Sequence, residues 1–285
     1  MRYASGSRPR GRGGRVPEAL TGTAETQPAG AAAMLRVACK SEGVPEIFRS
    51  VQGEGRNVGR VRTFVRLSGC NLQCTWCDTP YTWNWIGTEW PHALDRPGAP
   101  HKFDRERESL LLGTEDVADR ILALPAEGVV ITGGEPLVQA SGLLKLVERL
   151  RGARPALQIE LETNGTIGPG KRMAALVDLF MVSPKLEHAG NRTGAALRPA
   201  ALDALARAEK AHFKFVAADA DDVERVRGLC DTFGIAPPRV YIMPEGTGSA
   251  EVIARGAALI DHVIAAGFNY SDRLHLHLFG AARGT

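Results

Sequence analysis

Three cysteines, Cys70, Cys74 and Cys77, lie within eight residues in the run Gly69-Cys70-Asn71-Leu72-Gln73-Cys74-Thr75-Trp76-Cys77-Asp78-Thr79. The thiolate is the metal-binding form of cysteine, and a loop this short can wrap three sulfurs around one metal centre. The loop carries no fourth sulfur, so one coordination position stays open. Open positions host chemistry, whereas closed sites usually hold structure. Five cysteines in a long chain without a secretory leader argue against a disulfide framework. Zinc is the rival to iron–sulfur. A Cys3His site would need a histidine such as His92 or His101, from a segment that reads as loop. Cys39 and Cys230 stand alone and read as small buried apolar residues.

Other segments carry chemistry only in company. Val129-Val130-Ile131-Thr132-Gly133-Gly134-Glu135-Pro136 reads as a buried strand running into a Gly-Gly turn, where backbone can approach a ligand closely. Such turns are common; this one gains weight by following the cysteine loop with a helix pattern between. Leu179 to Lys185 is a second strand, ending in Ser183-Pro184-Lys185. Lys185 is either a solvated surface cation or a group at the carboxyl end of a strand, facing the site. Arg66 is a cation on an otherwise apolar strand. It either pairs with a structural carboxylate or offers a planar guanidinium to a carboxylate ligand.

These segments need a scaffold, and the pattern supplies one. Strands are expected at Arg62–Leu67, Val129–Thr132, Leu157–Leu161, Leu179–Val182, His212–Val216, Val240–Met243 and, last, Arg273–Leu278. Helices are expected at Glu115–Leu124 with Thr114 as N-cap, Leu143–Leu150, Lys171–Val177, Pro199–Lys210, Val223–Phe233 and Glu251–Ala266. Alternation of this kind implies parallel strands joined by right-handed helical crossovers. It predicts an α/β fold, a partial βα barrel of about six βα units. Loops at the carboxyl ends of barrel strands carry the site, and the cysteine loop, Gly133-Gly134, Ser183 and Pro244 all follow strands. The polar stretch Asp95–Leu111 reads as an inserted loop.

Composition fits one enzyme domain of 285 residues, 44% apolar and 24% charged. The net charge of +3 arises in the first 33 residues, where five arginines face two glutamates; the remainder is balanced. No basic footprint for nucleic acid covers the folded part, and no stretch has the apolar length of a membrane span. Residues 1–33 read as a disordered basic extension rich in Gly, Pro, Arg, Ala and Thr. Two accounts of it stand, an organellar transit peptide and a start assigned upstream of a natural one at Met34. Residues 34–285 form the catalytic domain.

C-x3-C-x2-C with an aromatic before the third cysteine resembles the signature of radical S-adenosylmethionine (SAM) enzymes. The resemblance implies a 4Fe–4S cluster on Cys70, Cys74 and Cys77. Its fourth iron would chelate SAM, and one electron would cleave the sulfonium to a 5′-deoxyadenosyl radical. A finer likeness lies in Ser50-Val51-Gln52-Gly53-Glu54-Gly55, Phe64-Val65-Arg66-Leu67-Ser68-Gly69-Cys70-Asn71, Cys77-Asp78-Thr79, Thr132 to Pro136, Glu162-Thr163-Asn164-Gly165, Ser183-Pro184-Lys185 and Arg273 to Gly280 with Arg283-Gly284. From Val44 to Thr285 the chain resembles the 7-carboxy-7-deazaguanine synthase family, departing at Phe279, where Trp is more familiar.

The family converts 6-carboxy-5,6,7,8-tetrahydropterin to 7-carboxy-7-deazaguanine with loss of ammonia, a step toward queuosine-type 7-deazapurines. By resemblance, Trp76, Cys77, Asp78, Gly134, Ser183, Pro184 and Lys185 line the SAM site, with Tyr241 to Pro244 beside them. Thr79 binds Mg2+, although locally it also reads as a turn cap before Pro80. Val51, Gln52, Gly53 and Glu54 form the substrate loop, Arg66 takes the substrate carboxylate, Thr132 touches substrate, and the terminal carboxylate of Thr285 reaches it. No catalytic residue beyond the cofactor is implied. The resemblance also implies a one-electron donor such as flavodoxin, a homodimer, and a cytoplasmic enzyme acting on a small pterin. Two alternatives remain open: a glycyl-radical activating enzyme with the same cysteine spacing, and a metal-stabilised binding protein without catalysis.

Overall fold

The computed structural model describes residues 33–285 apart from Thr193; the basic extension expected over residues 1–33 lies, but for its last residue, outside them. The strands are β1 (Met34–Ser41), β2 (Val44–Pro45), β3 (Ile47–Val51), β4 (Val61–Leu67), β5 (Ser109–Gly113), β6 (Gly128–Gly133), β7 (Gln158–Thr163), β8 (Leu179–Val182), β9 (Ala211–Ala217), β10 (Val240–Pro244) and β11 (Asn269–Tyr270). The helices are α1 (Arg105–Glu108), α2 (Thr114–Leu122), α3 (Ala140–Ala153), α4 (Gly170–Leu176), α5 (Pro199–Ala206), α6 (Ala220–Phe233), α7 (Ser249–Ala265) and α8 (Leu274–Phe279).

All strands share one open sheet, in the order β11-β10-β9-β8-β7-β6-β4-β1-β2, with β3 on β4 and β5 on β1. From β4 to β11 neighbours run parallel, while β1, β2, β3 and β5 pair antiparallel. Successive side chains in a strand point to opposite faces, and here the two faces differ in kind. Val65, Leu67, Val129, Ile131, Ile159, Leu161, Phe180, Val182, Phe213, Phe215 and Ile242 belong to one large apolar core with the helices. The alternate residues turn inward. They include a small apolar group of Phe48, Phe64 and Val130, but also Arg66, Thr132, Glu160, Glu162 and Lys214. A strand buried on both faces normally reads as a continuous apolar run. The buried charges therefore set the inner face apart from the apolar, helix-facing one.

Three expectations need correction. Arg273–Leu278 is not a strand. Its alternating leucines and histidines have period two, yet the residues that pair with β10 are Asn269 and Tyr270, and the following segment turns into α8. There Leu276 is buried and the Leu274 main-chain N–H donates to the Gly53 carbonyl at 2.9 Å. Docking, not local pattern, decides a six-residue helix of this kind. The Asp95–Leu111 stretch is not wholly loop: it ends in α1 and in β5, whose edge pairing with β1 runs Met34↔Gly113 to Ala38↔Ser109. Thr114 is the first helical residue rather than the N-cap, which is Gly113.

Candidate active site

The cysteine loop leaves β4 at Leu67 and is pressed against the turn after β6. Gly134 N–H donates to the Leu67 carbonyl at 3.0 Å, and Glu135 N–H to the Gly69 carbonyl at 2.8 Å. A side chain could not enter here: a Cβ on Gly134 would sit 2.2 Å from the Gly69 oxygen and 2.9 Å from Cys70 Cβ. Gly133 adopts φ +145°, open to glycine, with Leu67 backbone directly against it. Glu135, fully buried, accepts from Leu137 N–H, Thr163 Oγ1 and Asn164 N–H, the last at 2.6 Å. The turns after β4, β6 and β7 are thereby locked together.

Each thiol has its own polar neighbour. Leu72 N–H donates to Cys70 Sγ at 3.4 Å, and Asn164 Nδ2 lies 3.9 Å from the same sulfur. Asn191 Nδ2 donates to Cys74 Sγ at 3.1 Å, and Thr79 Oγ1 is 3.7 Å from Cys77 Sγ. Burial raises all three thiols, Cys70 to about 12 and Cys77 to about 11, with Cys74 moved the same way. A soft metal displaces such protons, and hydrogen bonds to sulfur then stabilise the bound thiolate. Cys39 and Cys230 lie buried in β1 and α6, away from the loop.

The donor set fits three irons of a cluster. His92, the zinc reading's nearest histidine, has both ring nitrogens engaged: Nε2 with the Cys77 carbonyl at 2.9 Å, Nδ1 with Leu94 N–H at 3.1 Å. Trp76 supplies a further sign of a ligand. Among the described residues its buried indole N–H has no hydrogen-bond partner, although buried polar groups are nearly always paired. The ring stacks on His188 with centroids 5.5 Å apart. Lys185 Nζ lies 5.9 Å over its centre and donates to Ser183 Oγ at 2.7 Å. Pro184 is buried between them in sequence.

The inner face of the sheet meets the loop after β3. Gln52 Nε2 donates to Glu160 at 3.3 Å and to Glu162 at 3.1 Å, while its Oε1 accepts Glu54 N–H at 3.2 Å. Thr132 Oγ1 donates to Glu162 at 2.8 Å, and Asn57 Nδ2 to Glu160 at 2.7 Å. Burial, with the Glu162 charge beside it, pushes the Glu160 carboxyl up to about 7. Glu54 is ion-paired to Lys214 and, at 3.2 Å, to Arg273; Arg273 reaches on to Asp78 in the cysteine loop. Burial disfavours a charged Glu54, yet the two cations overcome it and hold its carboxyl far below the usual range. His275 Nε2 stands 3.9 Å from the same carboxylate. A Cβ on Gly53 would lie 2.3 Å from His275 Nδ1, so the loop and α8 touch closely. Val51 closes β3 opposite Val61. Arg66 lies beside Thr132 in register, its Nε donating to Glu46 at 2.9 Å.

The residues expected on the cysteine loop, the turn after β6 and the loop after β3 are thus brought together. Thr285 Oγ1 donates to the Ala282 carbonyl at 3.0 Å, and Lys40 Nζ holds the Gly284 carbonyl at 3.2 Å. Tyr241 lies against His212 on the inner face, with centroids 5.9 Å apart. Sequence reasoning gave no role to Glu46, Glu160, Glu162, Asn164, Lys214 and Arg273, although Glu162, Asn164 and Arg273 lie in segments that carry the family likeness. Lys214 did carry a signal, a cation inside the apolar run Ala211–Ala217. Glu160 and Glu162 carried another, charge at period two in a buried strand. Asn191 gave none.

Residues 51–193 match the family of 4Fe-4S single cluster domains. The 7-carboxy-7-deazaguanine synthase of Pyrobaculum aerophilum is 38% identical over 244 residues, 85% of this chain and 96% of the relative. The chain is a member of the 7-carboxy-7-deazaguanine synthase family. The synthases of Rhodopirellula baltica and Hyperthermus butylicus are 33% and 35% identical, over 88% and 91% of their lengths. The crystal structure of QueE from Escherichia coli superposes with a TM-score of 0.60 at 26% identity, covering 84% of this chain and 95% of that one. Membership in this synthase family bears out the α/β fold expected from the alternating pattern and the radical SAM type implied by the resemblance. It also supports an enzyme over a metal-stabilised binding protein. Among the described residues no helix is long and apolar enough to cross a membrane.

Proposed function

We propose that this chain converts 6-carboxy-5,6,7,8-tetrahydropterin to 7-carboxy-7-deazaguanine with release of ammonia. The observation that carries this reading is the junction of a three-thiol loop with an inner sheet face bearing Gln52, Glu162, Thr132 and Arg66. Bound at Cys70, Cys74 and Cys77, a reduced cluster together with SAM would supply one-electron radical chemistry toward the pterin. The chain's own residues bind, orient and exclude water. Cys70, Cys74 and Cys77 hold the cluster. Gly134 lets the turn after β6, assigned to the amino end of SAM, press against the cysteine loop, the Trp76 indole N–H offers an unused donor, and Ser183 and Lys185 are assigned to the same side. Gln52 and Glu162 meet the donor–acceptor edge of the pterin. Arg66 takes its carboxylate through the guanidinium nitrogens that Glu46 leaves free. Lys214 and Arg273 neutralise Glu54, so the substrate loop enters the interior without an unpaired charge.

The reading extends to finer points. The Thr79 hydroxyl, an oxygen donor beside the cluster, is assigned to Mg2+, which prefers oxygen ligands and keeps waters for substrate to replace. Reduction by a flavodoxin-type one-electron donor, a homodimeric state, a cytoplasmic location and a product entering queuosine-type 7-deazapurine synthesis follow the family resemblance.

Anaerobic incubation of reconstituted protein with reductant, SAM, Mg2+ and carboxytetrahydropterin should yield the deazaguanine acid, detected by mass. Cys74→Ala should lose the cluster and all turnover. Arg66→Ala should lose substrate affinity while still cleaving SAM; equal loss of both would remove Arg66 from the substrate site. Protein that holds the cluster and cleaves SAM but leaves the pterin unchanged would overturn the reaction assignment.

A further inference from the structure

Arg66 is held from behind by a chain of contacts that runs to the carboxyl terminus. Its Nε donates to Glu46 Oε1 at 2.9 Å, and Glu46 is 1% exposed. The Glu46 backbone is fixed, because its N–H donates to the Ala38 carbonyl at 2.7 Å and its own carbonyl accepts Arg66 N–H at 3.1 Å. The second carboxylate oxygen, Oε2, accepts the Tyr81 hydroxyl at 2.9 Å. Tyr81 is buried in turn, edge-on to Phe103 with centroids 6.2 Å apart. The Arg283 guanidinium lies 3.6 Å over the Tyr81 ring and donates to Glu108 at 2.6 Å.

The geometry points to Glu46, Tyr81 and Arg283 as positioning residues for Arg66: they fix its guanidinium by the Nε edge so that its two terminal nitrogens face the cavity as parallel donors for the substrate carboxylate. This rests on the function proposed above. The physical argument is one of freedom. A long arginine side chain on an inner strand face has many rotamers, and ordering it on binding costs affinity. A buried carboxylate that takes only Nε removes that freedom and leaves the forked end for bidentate recognition. Glu46 can do this only while its other oxygen is satisfied, because an unpaired buried acceptor is costly; Tyr81 satisfies it. A cation over the ring at this distance pins Tyr81. The polar stretch ending in α1 thereby gains a role, since its Glu108 holds Arg283. The carboxyl-terminal segment would act on the site through the Arg283 side chain.

The test compares binding of 6-carboxypterin with binding of pterin, which lacks the carboxylate, by fluorescence titration of reconstituted protein. Wild type should prefer the carboxylated ligand, and Arg66→Ala should lose the preference. Tyr81→Phe, which keeps the ring and its volume, and Arg283→Ala should each reduce the preference, by on the order of tenfold for Tyr81→Phe. Arg283→Lys, which keeps a cation over the ring, should restore most of it. If Arg66→Ala loses the preference while Tyr81→Phe and Arg283→Ala keep it, the positioning chain is overturned and the substrate role of Arg66 stands. If wild type shows no preference, that substrate role fails and the positioning chain with it.

Discussion

Glu160 and Glu162 share one amide, that of Gln52, and burial raises the Glu160 carboxyl. Glu160 sits deeper, at 2% exposure, beside the Glu162 charge, and its folded value is about 7. Unfolded, a glutamate titrates near 4.3. Between those values the folded state binds more protons than the unfolded one, so stability falls as pH rises from about 4.5 to about 7. Burying the ionised form therefore costs at most about 4 kcal/mol at pH 8. Glu160→Gln should shrink the drop in melting temperature between pH 5 and pH 8 relative to wild type. An unchanged drop would mean that Glu160 ionises freely in the fold. Lys214 offers the opposite case. It is 5% exposed and paired to a buried carboxylate. Lys214→Met leaves Glu54 with Arg273 alone and should destabilise the protein by about 3 kcal/mol, read from the urea midpoint. A loss within experimental error would show that Arg273 suffices.

The turn after β6 and the cysteine loop form one unit, and Gly134 is its tightest point. Gly134→Ala would drive a methyl into the Gly69 carbonyl. That contact is backbone on backbone, so no side-chain rotation can relieve it. The variant should fold, because the helix-facing core is untouched, but should incorporate less iron, measured per protein after reconstitution. Full iron content with wild-type SAM binding would sink this account. The loop after β3 is the second working element. It crosses the inner face and is tied to β7 by Asn57 and Gln52, to β9 by Glu54, and to the segment after β11 by the Ser271 hydroxyl, which accepts Gly55 N–H at 2.7 Å. Strand pairing alone would not hold it there.

For the molecule as a whole, the cluster should be a structural clamp as well as a cofactor. The sulfurs of one loop are hydrogen-bonded by groups from two others, Asn164 after β7 and Asn191 after β8, and are raised by burial while protonated. Loading the cluster removes those protons in the folded state only, and binding to the native form stabilises it. Reconstituted protein should melt several degrees above the cluster-free form, with chelation reversing the gain; equal melting temperatures would argue against a site bridging these loops.

Much of this could be read from the chain directly. Three thiols in eight residues are a local property, because the covalent spacing alone keeps their sulfurs close. Six parallel strands were legible as well, because their helix-facing residues are apolar and helices with period 3.6 lie between them. The last helix was not. Leu-His-Leu-His alternates like a strand, and only its docking on Gly53, with the edge of β10 taken by Asn269 and Tyr270, makes it helical. Nor could the partners of Arg66, Glu54 and Gln52 be named in advance. Charge partners lie 20 to 219 residues apart along the chain, and no periodicity encodes such distances. They meet because the sheet aligns Arg66 with Thr132 and turns Glu160, Glu162 and Lys214 to one side. Burial there raises the energy of an unpaired charge, so Arg66, Glu54 and Lys214 form ion pairs, while Glu160 and Glu162 accept hydrogen bonds from Gln52, Asn57 and Thr132.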